Sequence, residues 1–350
     1  MIDYLFEKIE CGRELNKEDL CRLLALENPQ ELETLYDMAD KIRKKYVGDE
    51  VHLRGLIEFS NYCRNNCLYC GIRRDNAKLV RYRMDLDEIV DTAVFAQKLG
   101  YKTVVLQSGE DLYYTVDKLE YLIKSIKARA DVAITLSIGE RPREEYERLY
   151  VAGADRFLMR FETSNRMLYH KLHPDSSFDR RMESLKWLRE IGYQVGSGTM
   201  VGLPGQTIED IAEDILKFKE LDLDMVGVGP YICHNDTPLA GSANGDVEMT
   251  LKVIALTRIV TRDSHIPATT ALATLRPADG REKALQCGAN VVMPNVTPMK
   301  YRPHYALYPS KICINEKAEQ CFACIHRRIF SIGRPVSRDY GHSLKRKISG

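Results

Sequence analysis

The chain has 350 residues, of which 51 are Lys or Arg and 50 are Asp or Glu. The near-zero balance gives no electrostatic case for nucleic acid or an anionic membrane. The opening MIDYLFEKIECGRELNKEDL has charges in every turn, and no run approaches the ~20 apolar residues of a spanning helix. Neither a signal peptide nor an anchor is expected, and the reading is a soluble, cytoplasmic protein.

Ten cysteines are too few for a disulfide scaffold, and six of them form two tight groups. That pattern reads as metal ligation in a reducing compartment. Cys11, Cys21, Cys233 and Cys287 are left over and read as small buried or half-buried thiols.

Residues 1–48 show helical spacing at Leu5, Ile9, Leu20, Leu23, Leu24, Leu32, Leu35, Tyr36, Ala39 and Ile42, predicting two or three helices ahead of the main body. Residues 49–294 then alternate short apolar, β-branched runs with amphipathic stretches, the pattern of repeated βα units. Strands are predicted from His52, Thr103, Val132, Arg156, Gln194, Met225, Ile266 and Asn290. Helices are predicted near Asp85–Leu99, Val116–Ala130, Arg143–Ala152, Phe178–Ile191, Ile208–Leu221, Thr250–Thr261 and Arg281–Cys287. Gly100, Gly153, Gly192 and Gly288 suit left-handed C-caps. Eight strands with intervening helices predict an α/β fold, a (βα)8 TIM-type barrel; a six-strand partial barrel is the competing count. In such a barrel chemistry gathers at the C-terminal ends of the strands. Unusual polar residues fall there: Ser108 to Asp111, Ser137 and Glu140, Arg160 and Glu162, Ser197 to Met200, Thr269 and Thr270.

The first cysteine group, Cys63, Cys67 and Cys70, follows the first long strand with CxxxCxxC spacing. Three thiolates ligate three irons of a [4Fe-4S] cube and leave one iron open, where a closed cluster needs four cysteines. The amino and carboxylate groups of S-adenosylmethionine can chelate such an iron. Tyr69, just before the third cysteine, resembles the aromatic that the radical SAM family usually carries there, which implies a place against adenine. The bland alternative is a three-Cys zinc site completed by a distant His.

Residues 295–350 break the rhythm and read as a C-terminal extension over the barrel. Prolines 298, 303 and 309 with Tyr301, Tyr305 and Tyr308 predict an irregular loop across an opening. Cys313, Cys321 and Cys324 then form a second ligand group, iron-sulfur or zinc, whose fourth ligand is not visible in the spacing; His326 is one candidate. The basic tail reads as a solvated terminus.

With both groups placed, the chain resembles the HydE family, the radical SAM maturases of [FeFe] hydrogenase within the biotin synthase-like group. The resemblance rests on EFSNYCRNNCLYCGIRRDN, RYRM at Arg81 to Met84, VLQSGED at Val105 to Asp111, GADRFLMRFET at Gly153 to Thr163, MVGLPGQT at Met200 to Thr207, DMVGVGP at Asp224 to Pro230, IPATTA at Ile266 to Ala271, GANVVMPN at Gly288 to Asn295 and YPSKICINE at Tyr308 to Glu316. It implies a barrel with the open-iron [4Fe-4S] cluster and S-adenosylmethionine at its top, and a second cluster, [2Fe-2S] or [4Fe-4S], on the surface. The implied activity is reductive cleavage of S-adenosylmethionine to a 5'-deoxyadenosyl radical in assembly of the H-cluster diiron subcluster. The substrate is expected to be a small organometallic iron-cysteine complex with carbonyl and cyanide ligands, or a thiol. The implied partners are the tyrosine-cleaving radical SAM maturase, a GTPase scaffold, and a ferredoxin or flavodoxin as reductant.

On this reading Arg181 holds the cofactor carboxylate with a guanidinium fork, Arg180 being its alternative. Glu162 accepts from the ribose or faces the sulfonium, and Ser108, Gly109 and Met200 line the nucleoside path. Arg160 neutralises the substrate carboxylate, and Thr269, Thr270, Tyr305 and Tyr308 close the far side. Phe161 stands where a His is expected; strand alternation turns it away from Arg160 and Glu162, so a packing change is expected. A methylornithine synthase or biotin synthase relative would share the first cluster. The second cysteine group argues against the former, and the lack of strand-borne cysteines other than Cys233 against the latter. A zinc-stabilised binding module is the reading from a different class.

Overall fold

The computed structural model describes residues 2–345. Three helices come first: α1 (Ile2–Glu10), α2 (Lys17–Leu24) and α3 (Pro29–Val47). Asn16 and Asn28 cap the second and third, each side chain accepting from the first free backbone N–H groups. Their apolar stripes join the same contiguous core as the barrel, with Leu20, Leu23, Leu24 and Leu35 fully buried. Here α2 packs on α9 (Ile208–Glu220), and α3 on α10 (Val247–Thr261).

Strands β1 (His52–Leu53) and β2 (Gly55–Ser60) open the body. All six residues of β2 are buried, as expected for a strand covered on both faces. Next come α4 (Leu86–Lys98), β3 (Thr103–Ser108), α5 (Val116–Arg129), β4 (Ala133–Ser137), α6 (Arg143–Val151), β5 (Arg156–Leu158), α7 (Arg166–Leu172) and α8 (Phe178–Ile191). They are followed by β6 (Gln194–Val201), α9, β7 (Met225–Pro230), α10, α11 (Thr270–Leu275), α12 (Gly280–Gln286) and β8 (Val291–Val292). The last helix is α13 (Ala318–Ser331). The four capping glycines all take positive φ at the ends of α4, α6, α8 and α12. Only a residue without Cβ does this at no cost.

The continuous sheet is six parallel strands in chain order, β2 to β7, and β1 pairs with β8 separately. Single bridges complete the circuit: Met225 to His265, Pro267 to Val291, and Leu56 to Asn295. The expected seventh strand from Ile266 is therefore corrected. Only His265 to Ala268 pair with their neighbours, through bonds such as Ala268 N–H to Val291 O at 2.8 Å, and Thr270 onward turns into α11. Thr269 caps that helix, accepting from the Leu272 N–H. The small Ala- and Thr-rich run satisfies either geometry, and the cap decides it.

The C-terminal segment reaches both ends of the barrel. At the top, Gly71 N–H donates to Leu307 O at 2.9 Å, and Lys311 forms an ion pair with Glu58, buried on both sides. Asn295 holds the other Glu58 oxygen at 2.8 Å. Removing Lys311 would leave a buried carboxylate uncompensated, a loss of about 3–5 kcal/mol. At the bottom, residues 334–343 dock against the strand starts, where a solvated tail was expected. Arg156 donates to Tyr340 O at 2.8 Å, Arg54 to Gly341 O at 3.2 Å, and Thr103 Oγ1 to Tyr340 O at 2.7 Å. Buried guanidinium groups need acceptors, and the tail's carbonyls provide them. The final five residues of the basic tail lie outside the described residues. Among the described residues no helix is long and apolar enough to cross a membrane.

Candidate active site

The loop after β2 carries Cys63, Cys67 and Cys70 and is tied by four hydrogen bonds to three neighbours, Glu110, Leu172 and Leu307. Arg64 N–H donates to Glu110 O at 3.0 Å, Leu68 N–H to Leu172 O at 2.9 Å, Gly71 N–H to Leu307 O, and Glu110 N–H to the Cys63 sulfur at 3.4 Å. Arg81, the first residue of RYRM, donates to the carbonyls of Asn61 and Ile72 at 2.5 and 2.9 Å and so stitches the loop from within. Arg83 grips Asp111 with two hydrogen bonds of 2.7 and 2.9 Å, and Ser60 binds the same carboxylate at 2.7 Å. Gly109 and Gly71 are required by close approach. A Cβ on the first would meet Tyr62 O at 2.2 Å and Cys63 Cβ at 2.8 Å; on the second, Ala306 O at 2.0 Å.

Burial raises the pKa of all three thiols. Cys70 is pushed up to about 12 by burial and by the Cys63 charge. Cys67 is raised further by burial and by both other cysteines. Cys63 is raised by burial against two backbone N–H donors. Three desolvated sulfurs that penalise one another's ionisation form a poor thiolate site for water. They suit a cationic iron centre, which favours thiolates outright.

A cavity of about 310 Å³ opens beside the loop. Of the sequence-predicted residues, Cys70, Ser108, Gly109, Arg160, Glu162, Arg181, Thr269 and Tyr305 line it. Cys63 and Cys67 do not line it. Tyr69 and Met200 pack together against Leu168, Leu172, Leu203 and Tyr231. Thr270 and Tyr308 are outside the lining: Thr270 is the first residue of α11, and Tyr308 sits against Thr274. Arg180 points away, paired with Glu183 at 3.2 Å and resting on Trp187. Phe161 is fully buried beside Phe218 while Arg160 and Glu162 line the cavity, as expected, although it lies beyond β5, which ends at Leu158, and so outside regular strand alternation.

Glu162 has the features of a residue held for a ligand. Its φ of +65° is costly for a residue with a Cβ and is kept by the surrounding ladder, with Glu162 N–H on Gly198 O and Met200 N–H on Glu162 O. Its Oε2 is buried without a hydrogen-bond donor. Arg160 Nη2 lies 3.1 Å away, but off the line a hydrogen bond requires. Burial raises its pKa, opposed by Arg160 and Arg181. Arg181 lies under Glu140 at 2.6 Å and Glu110 at 3.7 Å. Burial works against its charge, but Tyr169, Glu140 and Glu110 more than offset it, so the guanidinium stays protonated.

Sequence reasoning assigned no role to several of these neighbours. Glu110 and Glu140 were visible as polar strand-end residues. Tyr169 and His173 sit on and just after α7, whose signal was Asn165 capping the apolar spacing of Leu168, Tyr169 and Leu172. Arg54, Gln107 and His265 line the cavity's lower part, and only folding brings them there.

The second cysteine group lies apart from this cavity. Arg281 places both guanidinium nitrogens 3.9 Å from the Cys313 sulfur. A hydrogen bond from Cys321, and then Arg281, lower the Cys313 pKa, while Cys321 rises in turn. Cys321 and Cys324 are one turn apart on α13, the first buried and the second exposed. His326 packs its ring against Phe322, centroids 4.1 Å apart and the planes tilted by 41°.

Residues 57–218 match the Radical SAM superfamily. The [FeFe] hydrogenase maturase subunit HydE of Thermotoga maritima is 55% identical over 96% of each chain. A 3-methylornithine synthase of Methanosarcina acetivorans is 33% identical over 83% of this chain and 82% of its own. A methylornithine synthase structure superposes with a TM-score of 0.83 at 29% identity, covering 95% and 97% of the two chains. HydG of Carboxydothermus hydrogenoformans shares the fold, with a TM-score of 0.80 at 22% identity over 95% of this chain and 78% of that one.

Proposed function

Because the chain belongs to the HydE family of [FeFe] hydrogenase maturases within the radical SAM superfamily, we propose that it cleaves S-adenosylmethionine reductively and uses the 5'-deoxyadenosyl radical on a small iron-cysteine complex bearing carbonyl and cyanide ligands. The product would serve assembly of the diiron subcluster. Cys63, Cys67 and Cys70 would hold a [4Fe-4S] cluster, whose chemistry when bound would be one-electron reduction of S-adenosylmethionine at a carbon–sulfur bond. The observation that carries this reading is Glu162, a strained, buried carboxylate with one oxygen that accepts no hydrogen bond and is met only by the Arg160 charge, beside a protonated arginine and three desolvated thiols.

Arg181 binds the cofactor's carboxylate, taking it in exchange for part of its hold on Glu110 and Glu140. Glu162 accepts from the ribose hydroxyls. Ser108, Gly109, Tyr69 and Met200 bound the nucleoside, Gly109 because no side chain fits there. Arg160 neutralises the substrate's carboxylate, while Thr269 and Tyr305 narrow the far wall; Thr270 and Tyr308 support it from behind. The enclosed cavity keeps water from a reactive radical. Cys313, Cys321 and Cys324 hold a second cluster, [2Fe-2S] or [4Fe-4S]. The companion maturases and a ferredoxin or flavodoxin are the expected partners, in the cytoplasm.

The identity to HydE, well above that to the methylornithine synthases, supports the maturase reading over its relatives. The test is anaerobic reconstitution with iron and sulfide, then dithionite and S-adenosylmethionine, with and without the iron-cysteine complex. 5'-Deoxyadenosine should form, and faster with the complex. Iron-loaded protein that makes none, or purified protein holding zinc without iron, overturns the proposal.

A further inference from the structure

Behind Tyr69 the chain builds a short relay that nothing in the cysteine spacing requires. His173 is buried just after α7, with its Nδ1 2.8 Å from the Tyr169 carbonyl oxygen. A carbonyl only accepts, so Nδ1 carries the proton and Nε2 keeps its lone pair. Nε2 lies 2.8 Å from the Tyr69 hydroxyl, which therefore donates to it. The imidazole stacks on Tyr169 with centroids 4.2 Å apart, and Tyr69 meets it edge-on at 5.4 Å. The Leu68 N–H to Leu172 O bond fixes the main chain one residue before Tyr69. Burial also lowers the His173 pKa, to about 4, consistent with one neutral tautomer.

We infer that His173 is a positioning residue for cofactor binding: with its proton on Nδ1, it fixes the Tyr69 ring in the orientation that receives the adenine of S-adenosylmethionine. This rests on the cofactor reading above. His173 does not touch the ligand and acts through the Tyr69 hydroxyl alone. Tyr69 adjoins Cys70, so a loose ring would cost nucleoside affinity without costing iron.

The experiment uses reconstituted full-length protein and S-adenosylmethionine itself, following the change in the electron paramagnetic resonance signal of the reduced cluster as the cofactor is titrated. His173→Phe should weaken cofactor affinity about ten-fold, the loss of one buried hydrogen bond, with iron per chain unchanged. Tyr69→Phe should match it, and the double variant should be no worse than either, because both remove one interaction. His173→Gln, whose side-chain oxygen can accept near the Nε2 position, should recover most of the loss. Wild-type affinity in His173→Phe, additive losses in the double variant, or iron loss in His173→Phe but not in Tyr69→Phe would each overturn the inference. A wild-type signal that ignores S-adenosylmethionine would instead overturn the cofactor reading itself, a distinguishable result.

Discussion

The two cysteine groups have similar ligand counts and opposite surroundings. The first sits in a loop held by hydrogen bonds from β2, the loop after β3, α7 and the C-terminal segment, with its sulfurs desolvated beside a cavity. The second joins a loop residue, Cys313, to the outer helix α13, keeps Cys324 exposed, and contributes no residue to that cavity. Spacing alone makes both look like metal sites. Chemistry on a bound cofactor also needs a cavity and a charge partner beside the cluster, and the first group has both, in the 310 Å³ cavity and in Arg181.

Substitutions that separate the two environments test this contrast. Cys67→Ser should abolish the first cluster and reduce 5'-deoxyadenosine formation by roughly a thousand-fold or more, since a serine does not replace an iron-sulfur thiolate; iron analysis with product quantification measures both. Arg181→Ala should keep the iron and weaken S-adenosylmethionine binding by about 10–100-fold, the loss of a charge-assisted fork. Equal affinity in that variant would remove Arg181 from the site. Glu162→Gln should also keep the iron and cost about ten-fold in affinity, as a carboxylate acceptor becomes a neutral one. Cys324→Ser should lower total iron while leaving the 5'-deoxyadenosine rate within about two-fold, because residues with no shared partners act independently and the second group does not line the cavity. A collapse of activity there would break the contrast. Phe161→His should leave turnover unchanged and lower stability by about 1–3 kcal/mol in thermal unfolding, the cost of a polar ring in an apolar core.

The clustering of the cysteines, the strand-helix alternation and the capping glycines were all legible, because each follows from local spacing or a two- or 3.6-residue period. The segment from Ile266 misled because its Ala- and Thr-rich run fits both strand and helix. Its short length left the choice to the Thr269 cap and to pairing with Val291.

The amino-acid order by itself determined where the cysteines cluster, how strands and helices alternate, and which face of each element is apolar. Only the tertiary structure decided that a buried Glu162 oxygen has no hydrogen-bond donor, that Arg181 is shared between Glu110 and Glu140, that His173 stands behind Tyr69, and that the tail closes the barrel's far end. Those relations join residues far apart in the chain, and hydrogen-bond partnership and burial across such distances exist only once the sheet has brought the strand ends together.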